Sequence, residues 1–375
     1  MNILVSLLGF FVFSQFGLHF WPEWSVINGI RIDYLSPTTY LFDLIFLLIL
    51  FFSKFRPGIQ KHRFAICLFV SLNLFFALSP LNSIFKWLRI FECYWLFKFF
   101  DQNPKYLKNI LLGFCGGIIL VSILSIFQFI NGSSMGGLWY WMGERNFNLS
   151  TPGVSKVYLG DFGLALRPYA TFPHPNVLAG VLMITSILLL NTKNKILKTV
   201  GVLEWIIVLL TFSRTIIFLQ IFILFLLAIK YQKKLTLLIV PLIFFMLVSH
   251  PNSLTERSIQ FNNYIKSFNP KNIFGIGMGN SIYYFSKYLF QIQPIHNIYL
   301  LIISEIGLFP SIFMFATLLR KIRIWSCSGN LWRNIFLITV FASGMTDHYW
   351  WTIPQAQIAL SICLPFALKL GSERN

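Results

Sequence analysis

The chain has 375 residues, of which 56% are hydrophobic and 11% charged, with 42 Phe, 11 Trp and a mean hydropathy of +0.70. Soluble globular domains carry about 25% charged residues, so this balance excludes one of useful size and predicts a single integral membrane domain over 1–375. The formal net charge of +18 does not point to nucleic acid, because the Lys and Arg stand in short segments between apolar runs and form no basic face; membrane topology accounts for them.

Apolar runs near the length of about 20 residues that a bilayer demands are expected as membrane spans. The first, Ile3–Phe20, lacks a basic leading segment and a small-residue cleavage site, so it reads as a span and not as a removed signal. Leu35–Phe52, Phe64–Leu78, Ile84–Phe100, Leu107–Ile130 and Pro175–Leu190 follow. The second half supplies Leu197–Phe212, Thr215–Ala228, Leu235–Val248, Asn297–Leu318, Asn334–Thr346 and Ala356–Leu368. The expectation is an all-α polytopic bundle of about twelve transmembrane helices. Alternate loops then collect the basic residues, among them Lys54, Arg56, Lys193, Lys230, Arg320 and Arg333, which makes that side cytoplasmic and places both termini inside.

On the opposite side two connections are too long to be simple links: outer loops over Asn131–His174 and His250–His296. His19, His174, His250, His296 and His348 fall on that side with Arg167, Arg214, Arg257 and Asp347, so a working site is expected to face outward. Trp21, Trp24, Trp139, Trp141, Trp350 and Trp351 are expected as an aromatic belt at the same boundary. Cys67, Cys93, Cys115 and Cys363 lie in apolar segments, Cys327 in a basic loop, and no CxxC spacing occurs, so they read as buried thiols, with neither disulfide nor metal site expected.

Nucleotide chemistry finds no support: the sequence has no GxxxxGK[ST] loop, no Asp-x-Asp pair and no HExxH. Phe274-Gly-Ile-Gly-Met-Gly-Asn280 follows no βαβ strand and reads as a flexible turn. No cofactor is expected. An enzyme working outward needs a substrate that already carries its leaving group, and a polyprenyl-diphosphate glycan is one. Arg214, in Thr211-Phe-Ser-Arg-Thr215, would cost about 2.5–3.5 kcal/mol unpaired at bilayer depth, so an anionic partner is expected; its planar guanidinium can grip a diphosphate without a metal. The competing reading is a helix-end Arg that snorkels to headgroups. His296, in Pro294-Ile-His-Asn-Ile298, is a candidate general base, or else a helix-start residue bonded to backbone. Arg167, Arg257, His174 in Pro173-His-Pro-Asn176, Asn176, Asp347 and His348 are candidate substrate-binding residues. Rigid turns and interfacial anchoring are the plainer explanations for the same residues. Glu204 and Glu305, inside expected spans, read as partnered structural groups or a proton relay.

Four blocks occur in order: Arg167-Pro-Tyr-Ala-Thr-Phe-Pro-His-Pro-Asn-Val-Leu-Ala-Gly180; Ser213-Arg214; Asn269-Pro270 through Phe274-Gly-Ile-Gly-Met-Gly279; and His296-Asn-Ile-Tyr-Leu300 with Glu305-Ile-Gly307. Together they resemble the O-antigen ligase and O-antigen polymerase superfamily, chiefly over Arg167–Gly307. The resemblance implies a metal-independent glycosyltransferase of the C-type membrane fold in the bacterial cytoplasmic (inner) membrane. It would use undecaprenyl-diphosphate-linked glycan as donor and lipid A core, glycan or protein as acceptor. By the same resemblance His296 holds the general-base position and Arg214 a diphosphate-binding position, while Arg257 is similar to a second arginine of the family but lacks the aromatic that commonly follows it. Ligase and polymerase are not separated by these motifs. A lipid or sugar transporter is the alternative from another class, and a haem or quinone protein using the outer histidines a third.

Overall fold

The computed structural model describes residues 1–58, 63–231, 252–267, 273–289, 292–326 and 330–370. Helix α1 (Asn2–Phe11) leads into a cap of short strands, β1 (Gly17–His19), β2 (Val26–Ile27), β3 (Ile30–Arg31) and β4 (Thr38–Tyr40). Strand β1 pairs antiparallel with β4, and β2 with β3. Helices α2 (Leu41–Ser53), α3 (Arg63–Phe75), α4 (Pro80–Gln102) and α5 (Leu107–Asn131) follow, then an antiparallel hairpin of β5 (Lys156–Tyr158) and β6 (Leu164–Leu166). The remainder is α6 (Pro175–Leu190), α7 (Lys195–Leu210), α8 (Arg214–Tyr231), α9 (Asn252–Ser267), α10 (Ser281–Leu289), α11 (Ile298–Ile306), α12 (Leu308–Ser326), α13 (Leu331–Thr346), α14 (Tyr349–Thr352) and α15 (Pro354–Leu368).

Helix α6 is the axis of the packing. Its sequence is apolar all round, and a helix of that kind has no face to leave outside; from Val177 to Leu189 every residue is buried. Helices α5, α7, α13 and α15 surround it. Helix α1 lies close on α5 because glycines line the seam: a Cβ on Gly113 would stand 2.0 Å from the Ser6 carbonyl oxygen, and one on Gly117 2.5 Å from the Phe13 ring.

The expected twelve-span bundle is corrected by this structure. Among the described residues one helix, Pro104–Asn131, is long and apolar enough to cross a membrane, with a mean hydropathy of 2.6. The other apolar helices, such as Asn2–Phe11, Leu41–Ser53, Pro175–Leu190 and Pro354–Leu368, run 10–17 residues. At about 1.5 Å per residue the shortest of these rise only about 15 Å, against a hydrocarbon core of about 30 Å. Polar and glycine residues break the runs. The expected span Ile3–Phe20 ends as helix at Phe11, because Ser14 turns its hydroxyl to the Met142 carbonyl at 2.7 Å and Gly17–His19 enters a strand. The expected span Asn297–Leu318 is cut at Gly307 (φ +94), where a side chain would overlap the Ile273 carbonyl oxygen. Leu235–Val248 lies outside the described residues. The fold is also not purely helical, since the described residues include three two-stranded sheets.

Candidate functional site

Three of the residues singled out by sequence meet at one corner, and each is placed by a helix end. Asn297 caps α11, its Oδ1 accepting from the Tyr299 and Leu300 amides at 3.0 and 3.1 Å, while its Nδ2 donates to the Met345 carbonyl at 3.2 Å. That bond ties the start of α11 to the end of α13 and sets His296 beside Asp347, the residue that closes α13. His296 Nδ1 lies 3.5 Å from Asp347 Oδ1, and His348 Nε2 lies 4.0 Å from the same oxygen. The two imidazole centroids are 5.1 Å apart.

Asp347 and His348 are buried and His296 half-buried. Asp347 Oδ1 accepts from the His348 backbone amide at 2.8 Å and Oδ2 from Asn176 Nδ2 at 2.9 Å. Burial alone would raise the Asp347 carboxyl, but the neighbouring imidazoles, His296 foremost, outweigh that and hold it well below the usual carboxylate range. Asn176 is in turn fixed by Arg167, whose Nη2 donates to Asn176 Oδ1 at 2.7 Å while its Nε donates to the Thr211 carbonyl at 2.7 Å. Arg167 thus reaches the segment leading to Arg214. Thr346 and Thr215, the neighbours of Asp347 and Arg214, join side chains at 2.9 Å, so the start of α8, with Arg214 half-buried, stands at this corner too.

His174 is the N-cap of α6: its Nδ1 accepts from the Asn176 amide at 3.2 Å, and Pro175 supplies the preset φ of a first helical residue. With Nδ1 accepting, Nε2 carries the proton and donates to Ser155 Oγ at 2.9 Å. Enclosure in the site, reinforced by the Arg167 cation, lowers the His174 imidazole to about 3, so it stays neutral and acts as a strut. The approach of 131–174 to this corner rests on Gln128 and Glu144. Gln128 Oε1 accepts from the Tyr169 and Ala170 amides at 2.9 and 2.8 Å. Buried Glu144 accepts from Gln128 and from the Met135 and Gly136 amides at 2.7–2.8 Å.

A cavity of about 1250 Å³ opens beside the corner, lined by Tyr34, His174 and Thr352 at one end. Its lining includes Arg89, paired with Asp43 at 2.9 Å and with Glu92, and the apolar side chains of Leu47, Leu50, Leu88 and Phe91. Sequence reasoning did not find Tyr34, Ser155 or Thr352, whose residue types carry no signal until tertiary contacts place them. Tyr34 sets its ring edge-on to His348, 5.6 Å between centroids.

Other expectations come out differently. The Gly275–Gly279 turn is locked, not flexible: Asn73 Nδ2 donates to the Phe274 carbonyl at 2.9 Å, Asn82 to the Gly279 carbonyl at 2.9 Å, and Ser83 to the Met278 carbonyl at 2.9 Å. Trp350 belongs to the core and not to a belt, its Nε1 bonded to Ser343 Oγ at 2.9 Å. Glu305 accepts from Trp351 Nε1 at 2.7 Å, and Glu204 is held by Thr185. Of the cysteines, Cys363 is buried, Cys93 and Cys115 half-buried and Cys67 exposed, while Cys327 lies outside the described residues. The segment 250–296 contains two helices, α9 and α10. Arg257 has its backbone in α9; its side chain, like His250, lies outside the described residues. Comparison with protein-family models, curated proteins and solved structures returns no match for this chain.

Proposed function

We propose that the chain is a glycosyltransferase of the O-antigen ligase kind, moving a glycan from an undecaprenyl-diphosphate carrier to an acceptor hydroxyl at the outer side of the bacterial cytoplasmic membrane. The observation that carries this reading is the His296 imidazole held against the buried Asp347 carboxylate, at a corner that also receives Arg167 and the start of α8. A carboxylate behind an imidazole orients the ring and stabilises the imidazolium formed when the other nitrogen takes a proton.

In the reaction, His296 Nε2 accepts the proton of the acceptor hydroxyl as that oxygen attacks the anomeric carbon. The bond from that carbon to the diphosphate oxygen breaks, and its electron pair leaves with the diphosphate. The guanidinium of Arg214 neutralises the departing charge bidentately, as no ammonium can. The cavity supports the reading by its mixed lining: the polar side chains suit sugar hydroxyls, and the apolar ones on α2 and α4 suit an isoprenoid tail.

The test is transfer from lipid-diphosphate glycan in membranes carrying His296→Ala, Asp347→Asn or Arg214→Ala. Losses of 10²-fold or more are expected, on the order of what general-base and charge-stabilising groups contribute, and Arg214→Lys should recover little. Unchanged transfer in both His296→Ala and Arg214→Ala removes the mechanism. Deletion in cells sorts the outcome: long lipid-linked polymer left unattached marks a ligase, and single repeats on the acceptor mark a polymerase.

A further inference from the structure

We propose that His296, Asp347 and His348 form a binding site for one divalent transition ion of the Zn²⁺ class, and that metal occupancy and proton acceptance by His296 exclude one another. The coordinating atoms of the three residues all lie within 4.8 Å of one another. Two imidazoles and a carboxylate are the donor set that first-row ions such as Zn²⁺ and Co²⁺ take, leaving a position open. A tetrahedral ion with ligands at about 2.0–2.2 Å holds neighbouring donor atoms roughly 3.3–3.6 Å apart. Asp347 Oδ1 stands 3.5 Å from His296 Nδ1 and 4.0 Å from His348 Nε2, so binding an ion would draw the two imidazoles inward onto it.

The hydrogen bonding also presents the right lone pairs. Thr352 Oγ1 lies 2.6 Å from His348 Nδ1 and 3.2 Å from the His348 carbonyl oxygen, so when its one proton goes to the carbonyl it accepts from Nδ1–H. In that tautomer His348 Nε2, 4.0 Å from Asp347 Oδ1, offers its lone pair to an ion. Apart from its 3.5 Å approach to Asp347 Oδ1, buried His296 Nδ1 makes no hydrogen bond, and a cation set between the two atoms would satisfy both. Asn176 on Asp347 and Thr352 on His348 are the outer partners that fix ligand orientation in metal sites.

With Nδ1 bound to an ion, His296 carries its ring proton on Nε2 and cannot take another. The binding half of the proposal stands apart from the transferase reading; the exclusion half rests on it. The experiment is titration of the purified full-length chain, freed of metal with a chelator, with Co²⁺ read by its ligand-field bands and Zn²⁺ read by calorimetry. One equivalent should bind with a four- or five-coordinate Co²⁺ spectrum, and Asp347→Asn and His348→Ala should abolish it. Thr352→Val keeps every ligand but releases the His348 ring, and should weaken binding about 10–100-fold; it decides the matter if the ligand variants fail to fold. Absence of stoichiometric uptake, or uptake untouched by Thr352→Val, overturns the site. In transfer assays Zn²⁺ should inhibit and a chelator should restore activity. Undiminished transfer with the metal bound overturns the exclusion alone, whereas absent transfer in metal-free protein with metal binding intact overturns the transferase reading and leaves the site standing.

Discussion

The amide of Asn176 bonds Asp347 Oδ2 at 2.9 Å across 171 positions of sequence, and its carbonyl oxygen holds Arg167 at 2.7 Å. One side chain thus joins an anion and a cation by presenting a donor to the first and an acceptor to the second. Asn176→Asp reverses the donor and sets carboxylate against carboxylate, whereas Asn176→Leu merely removes both bonds. Both should destabilise by about 1–3 kcal/mol, the Asp variant more, and both should lower transfer by at least about tenfold. Thermal unfolding beside an activity assay checks the order; an Asp variant as stable as the parent would contradict it.

Stability should fall with acidification through His174. Its folded value of about 3 lies below the ordinary 6.5, so the unfolded chain binds the proton more readily. The stability that the neutral ring contributes is fully present above about pH 6.5 and is lost progressively as the pH falls toward 3. His174→Gln keeps an acceptor and a donor but cannot titrate, and its unfolding midpoint should vary less over that window. A parallel dependence in parent and variant would assign the acid sensitivity elsewhere.

Glycines in the locked turn and packed against it should tolerate nothing larger. Gly277 (φ +91) and Gly307 (φ +94) have Ala77 Cβ and the Ile273 carbonyl oxygen 2.4 and 2.0 Å from where a Cβ would sit. Gly307→Ala and Gly277→Ala should each cost at least about 3 kcal/mol, strain and overlap together. Gly153 (φ +76) faces open space, and Gly153→Ala should cost only about 1 kcal/mol of backbone strain. The contrast is read from unfolding midpoints of the three proteins.

Glu144 gathers three N–H donors in a buried position. Glu144→Gln forces an amide NH₂ toward at least one of them, leaving a buried donor unpaired at about 1–3 kcal/mol. Because Gln128 positions Tyr169 and Ala170 upstream of His174, the variant should loosen substrate contacts more than chemistry, raising KM while kcat changes less. A pure kcat loss would place Glu144 elsewhere in the mechanism.

Some of this was legible in the residues. The start of α6 follows from His174-Pro175-Asn176, because proline presets the first helical φ and a polar side chain caps the amides. The Leu107–Ile130 run became α5, and the polar residues converging on one corner came from four separate blocks of sequence. Other features were not legible. Run length gave Ile3–Phe20 and Asn297–Leu318 as spans because hydropathy averages over the Ser14 hydroxyl and Gly307 that break them. Trp350 looked interfacial because composition cannot tell an aromatic that faces outward from one that fills the core.

The sequence by itself determined that the chain is built largely of apolar runs and that His296, Asp347, His348 and the arginines are its chemically expensive residues. Such residues are rare in so apolar a chain, and local pattern suffices to find them. Only the tertiary structure decided helix lengths, the locked Gly275–Gly279 turn and the meeting of His296 with Asp347, since these depend on contacts between segments tens to hundreds of residues apart. The contact between His348 and Thr352 was likewise out of reach of any motif, because it exists only once α14 is folded.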